Sequence, residues 1–552
     1  MSPIEPPIDT ARACEAPRAR ASAVAGGAER ASPAGRVLAV LACVVGLLAG
    51  CASSLPPLPD RERQAFLLAG PDSPLAQALE PRPAEAGASG LVLLRDPAQA
   101  LATRVLLARQ AQRALDIQVY IWRPDPSGRM LMRELWRAAE RGVRVRLLLD
   151  DNGSDGMDDW LQTLDAHPGI EVRLYNPFGQ RRMKSLGYLT DFTRLNHRMH
   201  NKSFTADGLA TIVGGRNVAD VYYGVDADTL FADLDALALG PAAQDTARHF
   251  DAFWNSERAY PLVGLLAPSD PAVLARQRQE LADPSGVAEV ASLLSKLQST
   301  PWLSGPALAA YPARQWAPVQ VLSDTPDKPA RGPSSAAPAG RITERILQGI
   351  AGTRATLDLV SPYFVPGDAG VQGLVDLARR GVKVRIVTNS LAATDVMAVH
   401  AGYARHRRAL LAAGIELHEL KVHASSPVGE AAPAWRTRLG FSSAASLHGK
   451  VFLADGQRLF IGSFNLDPRS ANLNTEMGLV IDSPALNREL SAQIERDLPG
   501  GAYRLSLSAA GELQWEERGP AGRVVHVREP EAGLLRRVGA QVLSWLPIEG
   551  LL

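Results

Sequence analysis

The stretch HNKSFTADGLATIVGGRN, from His200 to Asn217, occurs again in altered form as HGKVFLADGQRLFIGSFN, from His448 to Asn465. Both run for eighteen residues and hold His, Lys, Asp, Gly and Asn in one register. Further out, LDIQVYIW from Leu115 leads to MLMRELWRAAERG and then VRVRLLLDD. LDLVSPYF from Leu357 leads in the same way to GVQGLVDLARRG and VKVRIVTNS. Each set reads as an apolar strand, an amphipathic helix and a β-branched strand, the order of a βαβ unit. The helical seams fall on Leu131, Leu135 and Ala138 in the first copy and on Leu374, Leu377 and Ala378 in the second. A duplicated α/β domain is the predicted fold. Between the copies, SDTPDKPARGPSSAAPAG (Ser323 to Gly340) has the composition of a loop, as does ASSPVGEAAPAW from Ala424.

Alternation along an extended segment puts His200 with Lys202, and His448 with Lys450, on one face. A neutral imidazole attacks electrophiles, and a nearby ammonium stabilises the charge that develops. Two such pairs around one centre supply phosphoryl-group transfer: one histidine attacks phosphorus and the other protonates the leaving oxygen. The lysines and asparagines then bind the equatorial oxygens, and the scheme calls for neither metal nor cofactor. A single His-x-Lys-x4-Asp turns up by chance in roughly one chain per hundred. Two copies, each with Gly seven and Asn ten residues past the Asp, are a specific signal.

This duplicated motif resembles the hallmark of the phospholipase D superfamily, with similarity from about Leu115 to Asp482. The flanks NHRMHNKSFTADG, GGRNVADVYYG, GSFNLDPRSANLNTEMG and the terminal SWLPIEGLL are similar to C-type bacterial cardiolipin synthases and to phospholipase D-like lipoproteins. The implied fold class is α/β, two fused phospholipase D-like repeats forming one pseudo-two-fold catalytic body with a shared central active site. The expected divisions are a leader and signal over 1–50, a tether over 51–90, a first domain over 91–322, a linker over 323–340, a second domain over 341–500 and a C-terminal segment over 501–552.

Carried over by resemblance, His200 is the nucleophile that forms a phosphohistidine, and His448 the general acid that later acts as base. Lys202, Asn217, Lys450 and Asn465 hold phosphate. Ser463, at the family's Gly-Ser position where the first copy has Gly215, is implied to add a hydroxyl to the phosphate site. Asp207 and Asp455 complete the motif and mainly brace structure. A catalytic histidine needs an acceptor on its far nitrogen. Glu476 is expected to orient His448 and Asp233 to orient His200, with Asp235 as an alternative to Asp233.

The implied activity is membrane-anchored phosphatidyl transfer, with phosphatidylethanolamine as donor and phosphatidylglycerol as acceptor, giving cardiolipin. Water as acceptor gives phosphatidic acid, the hydrolase alternative. Phosphodiesterase or nuclease action is another, disfavoured by 59 Lys+Arg against 58 Asp+Glu. A non-catalytic binding protein is disfavoured because both copies keep His and Lys. An unidentified protein partner stays open.

Location is read from the N-terminus. The apolar run Val37–Gly50 is preceded by Arg30 and Arg36 and is shorter than the ~20 residues of a membrane span. It ends Leu48-Ala49-Gly50-Cys51, which resembles a lipobox with Cys51 acylated. A buried helix with an incidental cysteine is the alternative. Cleavage before Cys51 discards Cys14 and Cys43 and leaves a body without thiols, suited to an oxidising compartment. The expectation is a lipid-anchored, periplasm-facing protein of the bacterial envelope, sorted by Ala52 to the outer membrane. The long leader fits a translation start near Val24; recovery of an upstream tag on the precursor would exclude it.

Three further readings stay local. His197, His400 and His406 read as structural. The run with Arg181, Arg182, Lys184, Arg194 and Arg198 is a solvated face or an attraction for anionic headgroups. The tail LLRRVGAQVLSWLPIEGLL reads as core packing through Leu535, Val538, Val542 and Trp545, with shallow membrane contact as the alternative.

Overall fold

A computed structural model describes residues 55–79, 87–181, 183–225, 230–304, 315–328, 342–422, 445–519 and 522–552. The apolar run, Cys51 and the loop from Ala424 lie outside the described residues. In the first repeat the strands are β1 (Ala88–Leu94), β2 (Ala114–Val119), β3 (Arg144–Asp150), β4 (Ile170–Tyr175), β5 (Ser203–Ala206), β6 (Ala210–Gly214), β7 (Leu230–Ala232), β8 (Asp235–Leu239) and β9 (Ala259–Pro261). The second has β10 (Gln315–Ser323), β11 (Thr356–Val360), β12 (Lys383–Asn389), β13 (Glu416–Leu420), β14 (Ala445–Leu447), β15 (Val451–Ala454), β16 (Arg458–Gly462), β17 (Met477–Asp482), β18 (Ala502–Leu507), β19 (Leu513–Gly519) and β20 (Gly522–His526).

The predicted βαβ units are present: β2 pairs parallel with β3, and β11 with β12. Between β2 and β3 the helix Pro126–Glu140 starts where Asp125 caps the Gly128 amide and Pro126 fills the first turn. Its Leu131, Leu135 and Ala138 are fully buried. Gly367–Arg379 is the equivalent helix, burying Leu374 and Leu377. Each repeat then adds antiparallel strands, β5-β6-β8 in one and β15-β16-β17 in the other. The centre is closed by β1 against β10, with Ala88 opposite Pro318 and Leu91 opposite Gln315. Because β10 also pairs with β17, one continuous sheet of eighteen strands runs through both repeats among the described residues.

The turn in each TADG or LADG segment needs two left-handed residues, Asp207 and Gly208 (φ 56° and 65°) or Asp455 and Gly456 (φ 55° and 65°). Glycine enters that region freely and Asp tolerates it. The Asp207 carboxylate accepts from the amides of Gln112, Arg113 and Ala114, and Asp455 from those of Arg354, Ala355 and Thr356. These carboxylates fix the start of β2 and of β11, the bracing role expected of them.

The repeats also exchange segments. β7 pairs in parallel with β14 in a sheet of their own, and Met199 bridges Thr475. The expected linker opens on ordered residues. Ser323 ends β10, and Asp324 and Lys328 are buried with Nζ 2.7 Å from Oδ2. The Pro/Ser/Ala-rich composition of the whole stretch hid this ordered start; residues 329–341 lie outside the described set.

Candidate active site

His200 and Lys202 lead into β5, and His448 and Lys450 into β15, so each pair arrives at the end of a core strand. His200 Nδ1 lies 2.8 Å from Glu476 Oε2. His448 Nδ1 lies 2.6 Å from Asp233 Oδ2. The expected assignment is thereby reversed: Glu476 orients His200, and Asp233 orients His448. The exchanged segments are the cause. The His200 amide donates to the Thr475 carbonyl at 2.9 Å, and the His448 amide to that of Ala232 at 2.8 Å. The residue that follows each carbonyl is the carboxylate. Asp235, the alternative, is buried against Arg104 at 2.9 Å instead.

A carboxylate on Nδ1 places the proton there and leaves Nε2 with its lone pair, the form needed for attack. Glu476 is itself held by two hydroxyls, Ser463 at 2.5 Å and Ser470 at 2.9 Å. The Ser463 hydroxyl also accepts from the Met477 amide at 3.0 Å. Its expected phosphate contact is therefore replaced by bracing of Glu476, because a serine one strand away from the carboxylate reaches it first. Asn217 is similarly engaged, accepting from the Ile121 amide at 3.1 Å and donating to the Tyr222 hydroxyl at 2.8 Å. Asn465 differs: its amide oxygen is buried with no hydrogen-bond partner among the described residues.

Gly215 occupies the position equivalent to Ser463 for a steric reason. A Cβ there would lie 2.1 Å from Asp233 Oδ1. Gly215→Ala is expected to push Asp233 off His448 and to lower turnover about 10²-fold, since misplacement of about 1 Å has that cost. Steady-state kinetics on the folded variant check this; unchanged turnover would show that Asp233 tolerates displacement.

Lys202 Nζ donates to the His200 carbonyl at 2.7 Å, and Lys450 Nζ to that of His448. Both lysines are buried. Burial, aided by Lys450, brings Lys202 down to about 7, and burial brings Lys450 down to about 8. Burial also lowers His200 to about 4 against the pull of Glu476. His448 is lowered by burial and by Lys450, while Asp233 pulls the other way. Each histidine senses the other copy's lysine, so the two motifs share one electrostatic centre. Tyr120 meets His200 edge-on at 5.1 Å and Tyr222 meets His448 at 5.1 Å, walls that the motif spacing gave no sign of.

His197 Nδ1 meets the Leu473 carbonyl at 2.9 Å, and His406 Nε2 meets Glu549 at 3.3 Å, both structural contacts. His400 is buried with Nδ1 3.3 Å from the Asn389 carbonyl. Among its described residues the locally basic run is paired with carboxylates: Arg181 with Asp151 and Asp158, Lys184 with Asp155 and Arg194 with Asp191. Arg198 is buried on Asp150, and Arg182 lies outside the described residues.

A family profile described as cardiolipin synthase, phospholipase D-like domain, matches twice, over residues 106–254 and 346–498. The chain belongs to the phospholipase D superfamily. With both His-x-Lys copies intact it is a phospholipase D-type enzyme. Cardiolipin synthase C of Escherichia coli (strain K12) is 43% identical over 434 residues, which cover 78% of this chain and 90% of that protein. Cardiolipin synthase A of Edwardsiella ictaluri (strain 93-146) is 24% identical over 467 residues, 82% of this chain and 77% of that one. The crystal structure of phosphatidylserine synthase from Haemophilus influenzae Rd KW20 shares the fold, with TM-score 0.53 and 14% identity over 84% of this chain and 95% of that one.

Proposed function

We propose that this phospholipase D superfamily member is a phosphatidyltransferase that makes cardiolipin at a bacterial envelope membrane. The observation that carries the reading is the pair of histidines, each with Nδ1 on a buried carboxylate, around one centre with two lysines. In the first step His200 Nε2 attacks phosphorus of a donor phospholipid. The phosphorus–oxygen bond to the headgroup breaks, and the leaving oxygen takes a proton from His448. In the second, the hydroxyl of phosphatidylglycerol gives its proton back to His448 and attacks phosphorus, releasing His200. Lys202 and Lys450 neutralise the phosphoryl oxygens throughout. Phosphatidylethanolamine is the donor suggested by the C-type resemblance. Attachment through acylated Cys51, with the body in the periplasm at the outer membrane, completes the proposal.

Lipid analysis of a cardiolipin-deficient bacterial host tests it. Cardiolipin is expected with the intact chain and not with His200→Ala. Phosphatidic acid instead would make the enzyme a hydrolase on the same scaffold.

The charge states give a pH prediction. His200 must be neutral and therefore works above about 4, while His448 must be protonated at the first step and is held below its ordinary 6.5. Lys202 and Lys450 then lose their charge through about 7 and about 8. kcat/KM, which reports the free enzyme, is expected to fall from mildly acid pH upward and to steepen above neutrality. kcat should hold to higher pH, because the bound phosphodiester anion raises all three cations. A flat kcat/KM through that range would exclude this protonation scheme.

A further inference from the structure

Two exposed apolar segments are linked by hydrogen bonds to the surroundings of the catalytic pair. In the helix Lys184–Thr190 no residue is buried, and Met183, Leu186, Leu189 and Phe192 lie exposed along this stretch. Its inner side reaches the nucleophile. The Tyr188 hydroxyl donates to Asn152 at 3.0 Å, Asn152 donates to the Tyr120 hydroxyl at 3.0 Å, and the Tyr120 ring abuts His200. In the C-terminal helix Leu534–Ser544 only Ala540 is buried. Leu535 is 88% exposed and Trp545 73%, with Leu534, Val538, Val542 and Leu546 exposed beside them. Core packing through Leu535, Val538, Val542 and Trp545, the expectation for this tail, is thereby corrected: the helix is seated by Ala540 against Leu391 and Ala532 and by Arg536, which donates to the carbonyls of Leu391 and Thr394, while that row stays exposed.

Both segments are tied to one short helix, Pro468–Asn472. Arg469 there donates to Asn196 Oδ1 at 2.7 Å, just past the first segment, and to the Leu551 carbonyl at 3.1 Å, just past the second. The next residue, Ser470, holds Glu476. The apolar rows are thus anchored next to the acid that orients His200.

Their charges differ. Arg181, Lys184 and Arg194 of the first segment are spent on carboxylates, so these three cations are not free for headgroups. Beneath the C-terminal helix a cavity of about 420 Å³ is lined by Arg405, Arg528, Arg537, His400, Gln541 and Ser544. Among the described residues the side chains of Arg528 and Arg537 have no hydrogen-bond or ion-pair partner, while Glu529 in the same wall is taken by Arg407 at 2.7 Å. Unpaired guanidinium groups under an exposed apolar row complement phosphate headgroups over acyl chains.

We propose that the two segments form one interfacial docking surface that seats the enzyme on an anionic phospholipid bilayer, with headgroup phosphate entering the cavity at Arg528 and Arg537. The apolar rows enter the acyl boundary and present the catalytic pair to lipid. This surface acts independently of any acylation at Cys51 and rests on the reading of the substrate as a phospholipid.

The test uses the full-length chain. Added to vesicles of brominated phosphatidylglycerol, its tryptophan fluorescence should be quenched, with a component missing in Trp545→Phe. Leu189→Ser and Leu535→Ser should each lower turnover of vesicle-borne phospholipid about tenfold and leave hydrolysis of soluble bis(p-nitrophenyl) phosphate unchanged. Arg528→Glu with Arg537→Glu should do the same on phosphatidylglycerol vesicles only, with an effect that shrinks as salt rises. Equal quenching in Trp545→Phe overturns the proposal. So does equal loss on both substrates, which would make the rows structural, or a monomerising effect of Leu535→Ser, which would make the occupant a second copy. Quenching as expected without phospholipid turnover by the intact chain would instead fault the activity reading.

Discussion

His200→Ala is expected to lose phosphatidyl transfer by about 10⁴-fold or more and to form no covalent intermediate. His448→Ala should lose nearly as much with natural phospholipid, by about 10²–10⁴-fold, because both the leaving and entering oxygens need its proton traffic. The two variants separate on a substrate whose leaving group needs no acid. With a p-nitrophenyl phosphodiester, His448→Ala should release one equivalent of p-nitrophenol in a burst and then stall as phosphohistidine. His200→Ala should give no burst. Rapid-mixing absorbance and acid-labile phosphate on the protein report both. A burst in His200→Ala with none in His448→Ala would exchange the two roles while leaving the reaction intact.

The second large effect follows from the crossed carboxylates. Glu476→Gln and Asp233→Asn each remove the anion that fixes an imidazole tautomer, a change that costs about 10³–10⁴ in kcat with little change in KM. The phenotypes should be crossed as the contacts are. Glu476→Gln, acting on His200 at 2.8 Å, should give no burst, whereas Asp233→Asn, acting on His448 at 2.6 Å, should give a burst and stall. Orientation within each repeat predicts the opposite. Ser463 and Ser470 can still bond a carboxamide at 476, so folding should survive and thermal melting serves as the control.

Much of this was legible in the chain. The period of Leu131, Leu135 and Ala138 and the runs on either side placed the crossover helix and its strands, because a buried helical seam and a parallel strand leave local signals. The spacing of His200 and His448 placed both beside a lysine. The destination of Glu476 was not local. It depends on β7 meeting β14 and on Met199 meeting Thr475, pairings between residues more than two hundred apart that no window of sequence carries. Asp324 and Lys328 were hidden by the composition of the stretch they open. The tail misled because a heptad-like apolar row reads alike whether it meets a core or lies open, as Leu535 does.

The exchange between β7–β14 and Met199–Thr475 also decides how the chain can be divided. Each half of the chain is custodian of the acid its sister's histidine depends on. A fragment ending after β9 would carry a complete His-x-Lys-Asp motif and still lack Glu476, and the complementary fragment would lack Asp233. Neither fragment is half an enzyme, and only their reunion restores one. A lesion that removes the acid in either half therefore disables the chemistry of the other.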